Sequence, residues 1–181
     1  MSSQKRLITL TSYDGQSFKV EEAVAFQSVM IKTIVDDIGA ENPIPISNVS
    51  GVILRKVIDY CRKHAEDGKD SKTERNWRFV WPNKDSPLKK WESQFVKVEQ
   101  KDLFELILAA NYLNIKGLMD LACQTVADMV RGKTVEEMRK IFNIKNDYTA
   151  EEEEVVRREN AWAFEDLESE GKSLSEGELG I

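Results

Sequence analysis

Residues 103–134, LFELILAANYLNIKGLMDLACQTVADMVRGKT, decide how this chain is read. Leu103, Phe104, Leu106, Ile107, Leu108, Ala109, Ala110, Tyr112 and Leu113 leave almost no polar face, which predicts a central helix buried on most sides, with Asp102 able to cap it. A second helix, Ile115 to Val130, carries Leu118, Met119, Ala122, Val126, Met129 and Val130 along one stripe, and Gly132 is placed to stop it. Large apolar helices in such a run, with no catalytic constellation among them, point to a surface that binds proteins.

Downstream, Thr134 with Glu137 and Thr149 with Glu152 both have the spacing of a capping box, each opening a short helix. The first ends near Phe142. The second starts with glutamates, where the helix dipole favours them, and pairs Glu153 with Arg157 and Glu154 with Arg158 four residues on. Its apolar stripe of Val155, Val156, Trp162 and Ala163 is thin. Two large aromatics, Trp162 and Phe164, close it with few local partners, and two readings stand for them: intramolecular core, or anchors at an interface.

Upstream lies a small α/β unit. Residues 5–12 and 16–20 are β-rich and flank Asp14-Gly15, a pair suited to a tight hairpin. Apolar spacing from Glu22 to Ile38 predicts one or two short helices ended by Gly39. Pro43 and Pro45 make residues 42–46 extended and suit a third, edge strand. Ser50 stands at the N-cap of a helix using Ile53, Val57, Tyr60 and Cys61. Residues 65–90 break this order with 5 acidic and 7 basic side chains around Trp77, Phe79, Trp81 and Leu88. They read as a solvated loop with attached aromatics or as a short recognition segment.

Composition narrows the function. With 181 residues and 41% apolar content the chain can bury a core without disulfides or metals. The net charge of −6 is uneven: residues 149–181 hold 11 acidic and 3 basic side chains, the rest 21 and 23. Scattered basic residues argue against nucleic acid as the main partner. Cys61 and Cys123 each sit in an apolar helical pattern, which predicts buried free thiols. Without a signal-like N-terminus or an apolar run of about 18 residues, no membrane is expected and the chain reads as cytoplasmic or nuclear.

Catalytic chemistry finds no footing. Gly132-Lys133-Thr134 resembles the end of a phosphate-binding loop, but Ala127 occupies the position of its first glycine and a helix precedes it. Glu151 to Glu154 point to different sides of a helix, as ordinary N-terminal charge does. His64, the only histidine, is expected at a helix end with a solvated or dipole-facing role. Neither enzyme activity nor a metal or cofactor is expected.

Set in order, Leu103-Phe104-Glu105-Leu106-Ile107-Leu108-Ala109-Ala110-Asn111-Tyr112-Leu113, Ile115-Lys116-Gly117-Leu118, Phe142-Asn143-Ile144-Lys145-Asn146-Asp147 and Arg158-Glu159-Asn160-Ala161-Trp162 resemble the S-phase-kinase-associated (Skp) adaptors of SCF (Skp, cullin, F-box) ubiquitin ligases over about residues 5–165. The resemblance implies an α+β chain: a BTB/POZ-type α/β domain followed by a C-terminal helical extension. Residues 1–64 would form the N-terminal part of that domain, 65–90 an insert, 91–131 its C-terminal helices, 132–165 the F-box-binding extension and 166–181 a disordered acidic tail. It implies a non-catalytic adaptor in a heteromeric complex, joining F-box proteins to a cullin. By the same likeness Asn111 and Tyr112 face the cullin, while Val126, Val130, Phe142, Ile144, Trp162 and Phe164 face the F-box. From the residues alone, Asn111 also reads as a helix-surface amide and Tyr112 as a core aromatic with its hydroxyl outside. Val135 stands where the family often has proline, and the insert is richer in aromatic and basic residues than the family's linkers. The alternative is a BTB-type self-association module.

Overall fold

The computed structural model describes residues 6–70 and 86–162. The chain divides into two units, Met1–Ala127 and Asp128–Ile181. The aromatics of the insert (Trp77, Phe79, Trp81), Phe164 and the tail at 166–181 fall outside the described residues.

In the first unit, β1 (Leu7–Ser12) and β2 (Ser17–Glu21) pair antiparallel with Leu10 opposite Phe18. Gly15 takes φ +80° in the turn between them, which an L side chain rarely adopts. The chain then forms α1 (Glu22–Ala25) and α2 (Val29–Ile38) and returns as β3 (Ile44–Ile46), parallel to β1 with Leu10 opposite Ile44. The order β2-β1-β3 puts the proline-bearing strand at an edge, as its sequence predicts. Gly39 closes α2 at φ +81°.

One face of this sheet packs on helices. Ile8, Leu10 and Val20 share a core with Leu54, Val57, Ile58 and Cys61 of α3 (Gly51–Asp70) and with Leu106 and Ala110 of α5 (Gln100–Tyr112). Ser50 caps α3 as expected, its Oγ accepting from the Ile53 amide at 3.4 Å. The segment 65–90 departs from a plain loop at both ends. α3 runs on to Asp70, and α4 (Pro87–Phe95) opens inside the segment with Ser86 as its cap. The apolar stripe of α3 ends near Ala65, so its final charged turn carried no periodic signal.

α5 starts earlier and packs less completely than its composition suggests. Its first residue is Gln100, and Asp102 lies within the first turn, 3.8 Å from Lys56, rather than at the cap. Leu103, Leu106, Ala109 and Ala110 are buried, but Leu108 is 68% exposed. Only one side of the helix meets the core, so an apolar residue on the other side stays in solvent. α6 (Lys116–Val130) follows; it buries Leu118 and Ala122, while Cys123 is exposed, contrary to the expectation of two buried thiols. Cys61 is buried, and burial pushes its thiol up to about 12.

His64 also differs from expectation. Because α3 continues past it, its ring is half-buried, lies 4.1 Å from that of Tyr60, and places Nε2 3.1 Å from Glu92 of α4. Lys89 approaches the other oxygen of Glu92 at 2.8 Å. Neither His64 Nε2 nor Glu92 Oε2 makes a hydrogen bond of good geometry, so both pairings are close polar contacts. Burial alone would push the Glu92 carboxyl up, but His64 and Lys89 together hold it below the usual range.

The second unit holds α7 (Val135–Ile141) and α8 (Ala150–Glu159). Gly132 precedes α7 at φ +69°. Both predicted capping boxes form: Thr134 Oγ1 accepts from the Glu137 amide at 3.2 Å, and Thr149 Oγ1 from the Glu152 amide at 3.3 Å. Neither helix has a buried residue.

Candidate interaction surfaces

Asn111 and Tyr112 close α5, and the packing below them sets their attitude. The buried Ser28 caps α2 by accepting from the Ile31 amide at 3.1 Å and donates across the fold to the Leu113 carbonyl at 2.5 Å. The end of α5 is therefore tied to the start of α2. Above this tie Asn111 is exposed, while Tyr112 is half-buried and packs against the core. A helix-surface amide beside an aromatic with one side on the core is what the residue types allow. The same outward side of α5 continues to Leu108, which sequence reasoning had placed in the interior.

The residues matched to the F-box face divide between the units. Val126 lies in α6 within the first unit and is half-buried. In the second unit Val130 and Phe142 are half-buried, Ile144 is 56% exposed and Trp162 73% exposed. Trp162 is thus no core residue, which removes one of its two readings.

What ties α7 to α8 is charge. Arg139 reaches Glu153 at 3.1 Å and Arg157 reaches Glu136 at 2.9 Å, while Glu153 also meets Asn146 at 3.3 Å and the expected helix partner Arg157 at 3.8 Å. The Arg139 guanidinium, foremost, holds the Glu153 carboxyl below its usual range. Backbone amides of Thr134 and Thr149, foremost, do the same for Glu137 and Glu152. The Arg157–Glu136 pair is exposed and contributes about 0–1 kcal/mol, the Arg139–Glu153 pair is partly buried, and neither helix of the unit adds a buried apolar side chain to them.

Its apolar side chains line the surface instead. Tyr148, Val155 and Val156 form a shallow recess of about 320 Å³ with Glu151 and Glu152. Sequence reasoning had not selected Tyr148. The signal was available: it precedes the Thr149 cap, where an apolar residue normally packs on the fourth helical residue, but that residue is Glu153.

Among the described residues no cluster of His, Cys, Asp and Glu could hold a metal, and no helix is long and apolar enough to cross a membrane.

Comparison with known proteins agrees with this architecture. Residues 6–66 match the Skp1 family tetramerisation domain, of POZ type, and residues 116–163 the Skp1 family dimerisation domain. The chain is similar to SKP1-like protein 4 of Arabidopsis thaliana, with 55% identity over 91% of this chain and 100% of that one. It is similar to SKP1-like protein 1 of Oryza sativa subsp. japonica, with 54% identity over 90% and 97%. SKP1-like protein 1A of Arabidopsis thaliana shares 56% identity over 91% and 100%. With a POZ-type sheet and helices followed by capped C-terminal helices, and relatives of this identity along most of its length, the chain belongs to the Skp1 family, the adaptors that link F-box proteins to a cullin in SCF ubiquitin ligases.

Proposed function

We propose that this chain bridges an F-box substrate receptor to a cullin scaffold through two separate surfaces and performs no catalysis of its own. The cullin side is the end of α5, with Asn111 and Tyr112. The F-box side uses Val126, Val130, Phe142, Ile144, Trp162 and Phe164. The observation that carries this reading is that neither α7 nor α8 has a buried residue, while Val155 and Val156 of α8 and the flanking Ile144, Tyr148 and Trp162 are exposed to solvent. Helices that lack a core of their own are completed by a partner's. Covering a tryptophan of this exposure removes on the order of 150 Å² of surface, a gross gain of about 3–4 kcal/mol. The partners are proteins rather than nucleic acid or membrane, and the working compartments are cytoplasm and nucleus.

Mixing the purified chain with an F-box segment and a cullin N-terminal domain tests this directly by forming a ternary complex; absence of F-box binding defeats the proposal. Asn111→Lys combined with Tyr112→Lys should abolish cullin binding and spare F-box binding. Equal loss of both would place the cullin surface elsewhere or mean that the fold was damaged, which circular dichroism separates.

Self-association is the second reading, favoured by the dimerisation and tetramerisation domains that the chain matches. Sedimentation across a hundred-fold concentration range distinguishes it: a monomer throughout rejects it.

A further inference from the structure

We propose that the cullin-facing surface continues from Asn111 and Tyr112 along α5 to Leu108 and across to Tyr13 in the β1–β2 turn, where the cullin seats an apolar side chain. The inference rests on the reading of Asn111 and Tyr112 as cullin-facing and extends it. Two neighbouring residues, one of them half-buried, are far too small for a stable complex, which needs about 800 Å² from each partner. The contact must therefore spread over adjoining surface, and the structure restricts the direction. Beyond Tyr112 the chain turns inward at Leu113, which is fully buried. One turn back along the helix, Leu108 is 68% exposed, and Tyr13 beside it is 66% exposed.

Together Tyr13 and Leu108 line a cleft of about 180 Å³ with Asn48, Ile53 and Glu105. The cleft has a built wall. The Tyr13 amide donates to the Val49 carbonyl at 3.1 Å, and the Gly51 amide donates to Asp14 Oδ1 at 3.0 Å, while Ser12 Oγ also donates to Asp14. The turn is thereby fastened to the start of α3, so Tyr13 is offered on a rigid backbone and little ordering opposes binding. Tyrosine is enriched among anchor residues because it brings a large apolar face with a polar tip. Glu105 lines the cleft, and Lys101 approaches its carboxylate no closer than 3.9 Å, so a basic side chain on the partner completes the match.

The test measures affinity of the full chain for a cullin N-terminal domain and, separately, for an F-box segment. Tyr13→Ala and Leu108→Ala should each weaken cullin binding at least about five-fold, the double variant should lose less than the product of the two, and F-box affinity should stay unchanged. Leu108→Gln and Tyr13→Ser serve where an alanine variant proves poorly folded, since both sites are solvent-facing. Cullin affinity within two-fold of the parent in all variants overturns the extension; if Asn111→Lys with Tyr112→Lys still abolishes binding, the original cullin surface stands without it. If that pair is also silent, both assignments fall.

Discussion

Replacing Ser28 with alanine tests the internal tie that holds the end of α5. Ser28 is 1% exposed, and its single hydroxyl serves two groups: it accepts from the Ile31 amide at 3.1 Å and donates to the Leu113 carbonyl at 2.5 Å. Alanine removes a helix cap, at about 1 kcal/mol. It also deprives the Leu113 carbonyl of this donor, at about 1–3 kcal/mol, because water does not reach the site to replace it. The size of the side chain hardly changes, so the cavity contribution is small. The sum is about 3 kcal/mol, or roughly 10 °C in melting temperature for a domain of this size. Urea denaturation followed by circular dichroism should show a lower midpoint at unchanged slope. Amide exchange should show faster exchange at Ile31, whose acceptor is gone. A loss below about 1 kcal/mol with Ile31 still protected would refute the argument, since a relaxed backbone or a bound water would then be supplying both bonds.

Further outcomes follow from the second unit. Thr149→Ala removes the α8 cap and should cost about 1 kcal/mol, read as reduced helicity and an earlier thermal transition. Trp162→Ala should leave stability within about 0.5 kcal/mol, because the ring is largely in solvent, yet weaken F-box binding by roughly 30-fold in calorimetry; unaltered affinity would remove Trp162 from that surface. The carboxyls of Glu137, Glu152 and Glu153 lie below their ordinary value of 4.5 when folded. Their contribution to stability is therefore complete above pH 4.5 and is lost as pH falls through their lowered folded values. Ellipticity at 222 nm should hold from pH 7 down to about 5 and decline below that. In Arg139→Gln, Glu153 loses its main partner, so the decline should be weaker; an identical acid profile would count against the Arg139–Glu153 tie.

Signals that complete themselves within a few residues were legible without tertiary structure. Gly15 and Gly39 have the positive φ values their positions called for, and both threonine caps formed with their glutamates three residues on. The interaction surfaces were only partly legible. Leu108 looked like core because composition reports how apolar a helix is, not which side meets a neighbour, and Tyr148 passed unnoticed for want of a periodic context. His64 was misplaced because α3 persists beyond its apolar stripe, and its partner Glu92 lies across a stretch whose length hides the pairing.

From its own letters the chain determined its local elements and, through the order of its helical strings, the family it resembles. These rest on propensities, caps and turns whose partners are near in sequence. Tertiary structure alone decided that Ser28 bonds Leu113, 85 residues away, that Glu92 meets His64, and that Arg139 and Arg157 tie α7 to α8. It also decided which apolar side chains remain outside. Burial and long-range pairing depend on which surfaces meet once the chain has collapsed, and no window of sequence contains both sides of such a contact.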